Sequence, residues 1–167
     1  MTNLFALENP SEGDRLDLEA MERSLGFKER RYIEELRILT KSTAVDCVID
    51  DRFERIIYII KEGDMGYAIG KNGDNIKKLS RVLGKRIEMV EYNVIREDFV
   101  RNMFRPAEVF EVTFPEGTSS VHVVMQSRSN LGLAIGKGGA NIEKVRLLVK
   151  RFFGRELDEI EIDGDEK

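Results

Sequence analysis

Residues 66–79 read GYAIGKNGDNIKKL and residues 132–145 read GLAIGKGGANIEKV, with nine identities in fourteen positions at an offset of 66 residues. That offset is too long for a one-helix repeat and matches a small domain, so the pair predicts two tandem modules. One domain carrying two similar loops is the alternative. Around each copy the hydrophobic period changes in the same order, from an apolar run to a glycine-rich turn and then to helical spacing.

In the first copy RIIYIIK predicts a buried strand at Arg55 to Lys61. A short helix, the glycine turn, a helix over Asp74 to Leu83 with Ile76, Leu79 and Leu83 on its apolar face, and a strand at Arg86 to Tyr92 follow. The second copy supplies a strand at Val121 to Gln126 and a longer helix over Ala140 to Phe153 that packs Ile142, Val145, Val149 and Phe152. The run LDEIEI, Leu157 to Ile162, reads as one closing strand. Upstream of each copy lies a helix and a strand: Lys28 to Thr40 then Ala44 to Asp50, and Glu97 to Phe104 then Glu108 to Phe114, with Pro106 ending the second helix. The expected organisation is an acidic extension at 1–26, modules at 27–93 and 94–162, and an acidic tail at 163–167. The extension reads either as a flexible segment or, since Leu16, Leu18, Met21 and Leu25 are intermittently apolar, as a short docking helix, with local packing and a protein partner equally open.

Charge follows the same division. The net charge of −4 combines a stretch at 27–155 with 24 basic and 18 acidic residues and two acidic ends, 2 against 6 at 1–26 and 1 against 7 at 156–167. The basic core does not exclude a polyanionic partner, and its excess is too small to specify one. The single cysteine, Cys47, excludes an intrachain disulfide framework and fits a reducing compartment. The opening residues lack a secretory pattern and no apolar run is long enough to span a bilayer, so a cytoplasmic protein without membrane contact is expected.

Gly70 and Gly73, repeated as Gly136 and Gly139, permit close backbone approach and expose amides at a helix start, where an anion is favoured. Lys71 and Lys137 add a positive charge to each turn. A sugar–phosphate backbone fits these groups, with Ile69 and Ile76, or Ile135 and Ile142, offering an apolar surface to bases. Structural connectors are the competing reading of both turns. A nucleotide-cleaving P-loop is excluded because Lys71 is followed by Asn72 and Lys137 by Gly138, leaving no hydroxyl for magnesium. A dinucleotide fingerprint fails as well, since neither copy forms GxGxxG.

Other candidate chemistry is weak. His122, the only histidine, falls in a strand with no partner ligands, and Cys47 has no base beside it. Asp46, Asp50 and Asp51 fit a strand and turn. No catalytic residue, metal site or cofactor is expected. Phe104, Phe152 and Phe153 read as core, and Tyr67, whose counterpart is Leu133, reads as an interchangeable apolar lining.

AIGKNGDNI and AIGKGGANI resemble the GxxG loops of KH RNA-binding domains, and the order of elements resembles the type II form. The whole arrangement resembles the archaeal NusA-like transcription factors, over roughly Phe27 to Ile162, carried also by VDCVID and VIREDFVRNMFRPAEV. The resemblance implies an α/β (α+β) fold of tandem type II KH domains, each a small three-stranded mixed sheet packed on helices. It implies single-stranded RNA binding without catalysis, in transcription elongation, termination or antitermination, with RNA polymerase or other transcription proteins as partners. A monomer is the default. A protein-interaction or ribonucleoprotein scaffold with weak RNA binding is the alternative function.

Both loops are retained, at Gly70–Lys71–Asn72–Gly73 and Gly136–Lys137–Gly138–Gly139. Asn72 offers a polar side chain that Gly138 lacks. Lys77 and Lys78 flank the first loop more positively than Glu143 and Lys144 flank the second, so the larger phosphate contribution is expected from the first.

Overall fold

The computed structural model of the protein describes residues 24–164. The N-terminal extension, apart from its last three residues, and the end of the acidic tail lie outside them, and with them most of the expected docking helix. The chain divides between Asn93 and Val94 into two compact units.

The first unit runs α1 (Phe27–Thr40), β1 (Ala44–Asp50), β2 (Arg55–Ile60), α2 (Met65–Ile69), α3 (Asp74–Leu83) and β3 (Arg86–Glu91). Its sheet has the order β1-β2-β3, with β1 antiparallel and β3 parallel to the central strand. All six residues of RIIYII in β2 are buried, which is why this strand reads as a continuous apolar run and not as an alternation. A parallel pair needs a long crossover, and here α2, the glycine turn and α3 provide it. The sheet thus delivers the turn between two helices.

Tyr32 and Leu36 of α1, Leu79 of α3, Ala68 of α2 and Cys47, Ile56, Tyr58 and Ile60 of the sheet form one core. The Tyr58 hydroxyl donates to the Tyr32 carbonyl at 2.8 Å, and burial pushes its phenol well above the ordinary tyrosine range. At the other end of the strand Arg55 is only 1% exposed. Its guanidinium donates to Asp50 at 2.8 Å and Glu88 at 3.0 Å and lies 4.8 Å from the Phe53 ring centre. A buried guanidinium is tolerable because carboxylates from both neighbouring strands meet it. Asp50 therefore serves an ion pair across the sheet, as its strand assignment allows.

The second unit repeats the order as α4 (Arg96–Phe104), β4 (Val109–Thr113), β5 (Ser120–Met125), α5 (Arg128–Ile135), α6 (Ala140–Phe153), β6 (Glu156–Leu157) and β7 (Glu161–Ile162). β4 is antiparallel and β6 and β7 are parallel to β5. LDEIEI is thus two short strands and not one. From Val121 to Val124 the central strand advances three residues, whereas its partner advances four, from Leu157 to Glu161. The extra residue interrupts the ladder. The longer α6 carries Phe152 and Phe153 onto Phe99 and Phe114, with edge-on ring centres 4.9 Å apart for Phe99–Phe152 and 5.0 Å for Phe114–Phe153. Both units are small mixed sheets packed on helices, the α/β arrangement expected, but only the first sheet has three strands; the second has four, because its closing segment is split in two.

Candidate nucleic-acid interface

Each glycine turn sits between a short helix and a longer one, and its backbone is the same in both units. Gly70 has φ 78° and ψ 169°, and Gly136 has φ 76° and ψ 172°, a region open essentially to glycine alone. Asn72 (φ 57°, ψ 24°) and Gly138 (φ 64°, ψ 16°) then take the left-handed conformation, which asparagine tolerates better than most side chains. Gly73 and Gly139 follow in the same region and lead directly into α3 and α6.

The turns use part of their own hydrogen-bonding capacity. Gly73 N–H donates to Gly70 O at 3.0 Å and Gly139 N–H to Gly136 O at 3.1 Å. The amides of Asp74 and Ala140 donate to the carbonyls of Lys71 and Lys137. Two of the amides at each helix start are therefore occupied within the turn, and the lysine side chains become the more prominent cationic groups.

Lys71, Asn72, Lys77 and Lys78 are exposed at the first turn, and Lys77 Nζ reaches the Asn72 carbonyl at 3.4 Å. Lys137 and Gly138 are exposed at the second. Glu143 stands where Lys77 stands in the first unit and pairs with Arg146. Lys144, expected to flank the second turn, is only 5% exposed. The reason is the wider inward face of α6: Lys144 lies beside Val145 and one turn before Leu148, all buried. In α3 the buried set is Leu79 alone, so Lys78 stays in solvent.

Ile69 and Ile135 are exposed on the last turn of the short helices, while Ile76 packs partly against the core and Ile142 is half-buried. Tyr67 at 66% and Leu133 at 49% exposure extend the apolar surface beside each turn. Their exposure at matching positions suits an interchangeable lining.

Sequence reading passed over the residues that fasten these turns. Asn75 Nδ2 donates to Tyr67 O at 2.8 Å, and Asn141 Nδ2 reaches Leu133 O and Ala134 O at 3.3 and 3.2 Å. The start of each short helix is tied to the start of the first strand in its unit. Asp64 accepts from Thr43 N at 2.9 Å, and Asn130, 66 residues on, accepts from Glu108 N at 2.7 Å. The repeated asparagine of AIGKxGxNI was a visible signal, whereas Asp64 and Asn130 share only a position and a shape.

The remaining candidates are structural. Cys47 is buried, and His122 Nε2 lies 3.3 Å from the Glu161 carboxylate on the neighbouring strand. Among the described residues no group of three or more His, Cys, Asp or Glu side chains could hold a metal ion, and no helix is long and apolar enough to cross a membrane.

Comparison with known proteins agrees with this repeated architecture. The KH domain family matches residues 29–101, and the NusA-like second KH domain matches residues 96–167. The probable transcription termination protein NusA of Halobacterium salinarum is 36% identical over 138 residues, 83% of this chain and 96% of that protein. The protein of the same description from Methanococcus vannielii is 33% identical over 117 residues, 70% and 66% of the two chains. The crystal structure of APE1850 superposes with a TM-score of 0.70 at 36% identity, over 83% of this chain and 99% of that one.

Proposed function

Because this chain belongs to the NusA-like family of tandem KH-domain proteins, we propose that its two glycine turns, Gly70–Gly73 and Gly136–Gly139, grip the backbone of single-stranded RNA. The protein is an RNA-binding transcription termination or elongation factor. In each module the glycines bring the main chain close to a phosphate. Lys71 and Lys137 neutralise it, and Ile69 with Ile76, or Ile135 with Ile142, receives bases by packing. Lys77 and Lys78 extend the cationic track of the first module, and Asn72 adds a polar group to it.

The observation that carries the reading is one backbone turn built twice with an exposed lysine at the same place. The protein acts without catalysis or cofactor, as a cytoplasmic monomer, and transcription proteins, RNA polymerase among them, are its protein partners. Fluorescence anisotropy with a labelled single-stranded RNA, repeated over a salt series, tests the RNA contact. Substitution of Lys71 and Lys137 together should weaken binding and flatten its salt dependence, and unchanged binding would refute the assignment.

A second reading has its own support: with Lys144 buried and Glu143 paired to Arg146, the second module offers less free cationic surface than the first. In that reading the second module contributes architecture more than affinity. An RNA affinity indifferent to Lys137→Ala but sensitive to Lys71→Ala would favour it.

A further inference from the structure

Asn75 and Asn141 occupy the second residue of the helix that follows each turn, yet their side chains point backwards across it. Asn75 reaches the Tyr67 carbonyl of α2, and Asn141 reaches the Leu133 and Ala134 carbonyls of α5. Carbonyls in the last turn of a helix have no intrahelical donor, and helices of five and eight residues are too short to be stable alone. The asparagine amide supplies the missing donor and ties the short helix to the long one.

The same asparagines leave no room for a side chain at the first glycine. A Cβ added at Gly70 would stand 2.7 Å from Asn75 Cγ, and one added at Gly136 would stand 2.8 Å from Asn141 Cβ and 2.9 Å from its backbone nitrogen. Asparagine and glycine thus share one space, each fitting because the other is what it is. In the second unit the amide also lies 3.3 Å from the Phe104 carbonyl at the end of α4, so a third element is fastened to that turn.

We propose that Asn75 and Asn141 are the positioning residues of the two RNA-contacting turns, holding Gly70–Gly73 and Gly136–Gly139 in shape before RNA arrives. The inference rests on the turns being the RNA contact. A turn held in its bound shape avoids the affinity lost when the competent conformation is only one of several. Asparagine is suited to the task because its amide donates, whereas an aspartate of equal size would set a carboxylate against carbonyl oxygens.

The test uses the full chain with Asn75→Ala, Asn75→Asp and Lys71→Ala, and the corresponding changes at Asn141 and Lys137. Four quantities are read: amide resonances and hydrogen exchange at Gly70 and Gly73 in the free protein, the melting temperature, and affinity for a labelled ten-nucleotide single-stranded RNA of mixed sequence. Asn75→Asp should shift the turn resonances, speed exchange at both glycines and weaken binding about tenfold, with Asn75→Ala smaller in each. Lys71→Ala should weaken binding and leave the free turn as it was. Unmoved turn resonances in Asn75→Asp, or an affinity loss no greater than the fall in folded fraction explains, would overturn the positioning role. Full affinity in both lysine variants would instead refute the RNA contact itself, while the free-protein resonances still decide whether the asparagine shapes the turn.

Discussion

The two glycine turns follow the same backbone path and carry different surroundings. Gly70 and Gly136 agree within 3°, and Asn72 with Gly138 and Gly73 with Gly139 within 8°, although one turn holds an asparagine where the other holds a glycine. Around that common path, Lys71, Lys77 and Lys78 are exposed in the first module. In the second, Lys137 is exposed, Glu143 pairs with Arg146 and Lys144 is buried. The glycines and the asparagine that follows them recur in both turns, whereas the charge differs because Glu143 replaces Lys77 and because α6 buries Lys144 where α3 leaves Lys78 in solvent. Geometry and electrostatics are separable here.

The largest expected effect separates the modules by their cores. Arg55→Ala leaves Asp50 buried without its partner and should destabilise the first module by about 3–5 kcal/mol. Hydrogen exchange should show the loss in residues 27–93 and spare the aromatic cluster of Phe99, Phe114, Phe152 and Phe153. Equal loosening of both modules would break the comparison.

Next come the first glycines. Alanine at Gly70 or Gly136 must adopt a conformation that side chains avoid, at a cost of about 1–3 kcal/mol in a denaturant melt. Gly136→Ala should be the worse of the two, because its nearest obstacles include the backbone of Asn141, whereas Gly70→Ala meets only side-chain atoms of Asn75, whose displacement costs the bond to Tyr67 O.

The charge difference is read from salt dependence. Replacing Lys71, Lys77 and Lys78 together should reduce the slope of log affinity against log salt by about 2, against about 0.7 for Lys137→Ala. Equal changes would remove the ranking of the two turns. The smallest effect belongs to Gly138→Asn, which copies the first turn into the second. Gly138 already has the backbone of Asn72, and a Cβ there meets nothing within 4 Å, so stability should move by less than about 1 kcal/mol.

Much of this architecture was legible because each element announces itself locally. The boundaries of α3, Asp74–Leu83, and α6, Ala140–Phe153, follow from a glycine turn at one end and apolar spacing between. LDEIEI misled because alternation says nothing of the partner's register, and one surplus residue against β5 splits the strand. Lys144 misled for a related reason. Its counterpart Lys78 is exposed, and only the wider buried face of α6 draws Lys144 inward. Asn75 and Asn141 were visible as a repeated letter, but their role depends on a side chain folding back over a turn, which spacing alone does not reveal.

The most direct test of the account is a titration of the full chain with short single-stranded RNAs, followed residue by residue through amide resonances. The account predicts saturable shifts at Gly70–Gly73 and at Gly136–Gly139, with the first turn responding at lower RNA concentration. Absence of shifts in both turns across RNAs of varied sequence would contradict it.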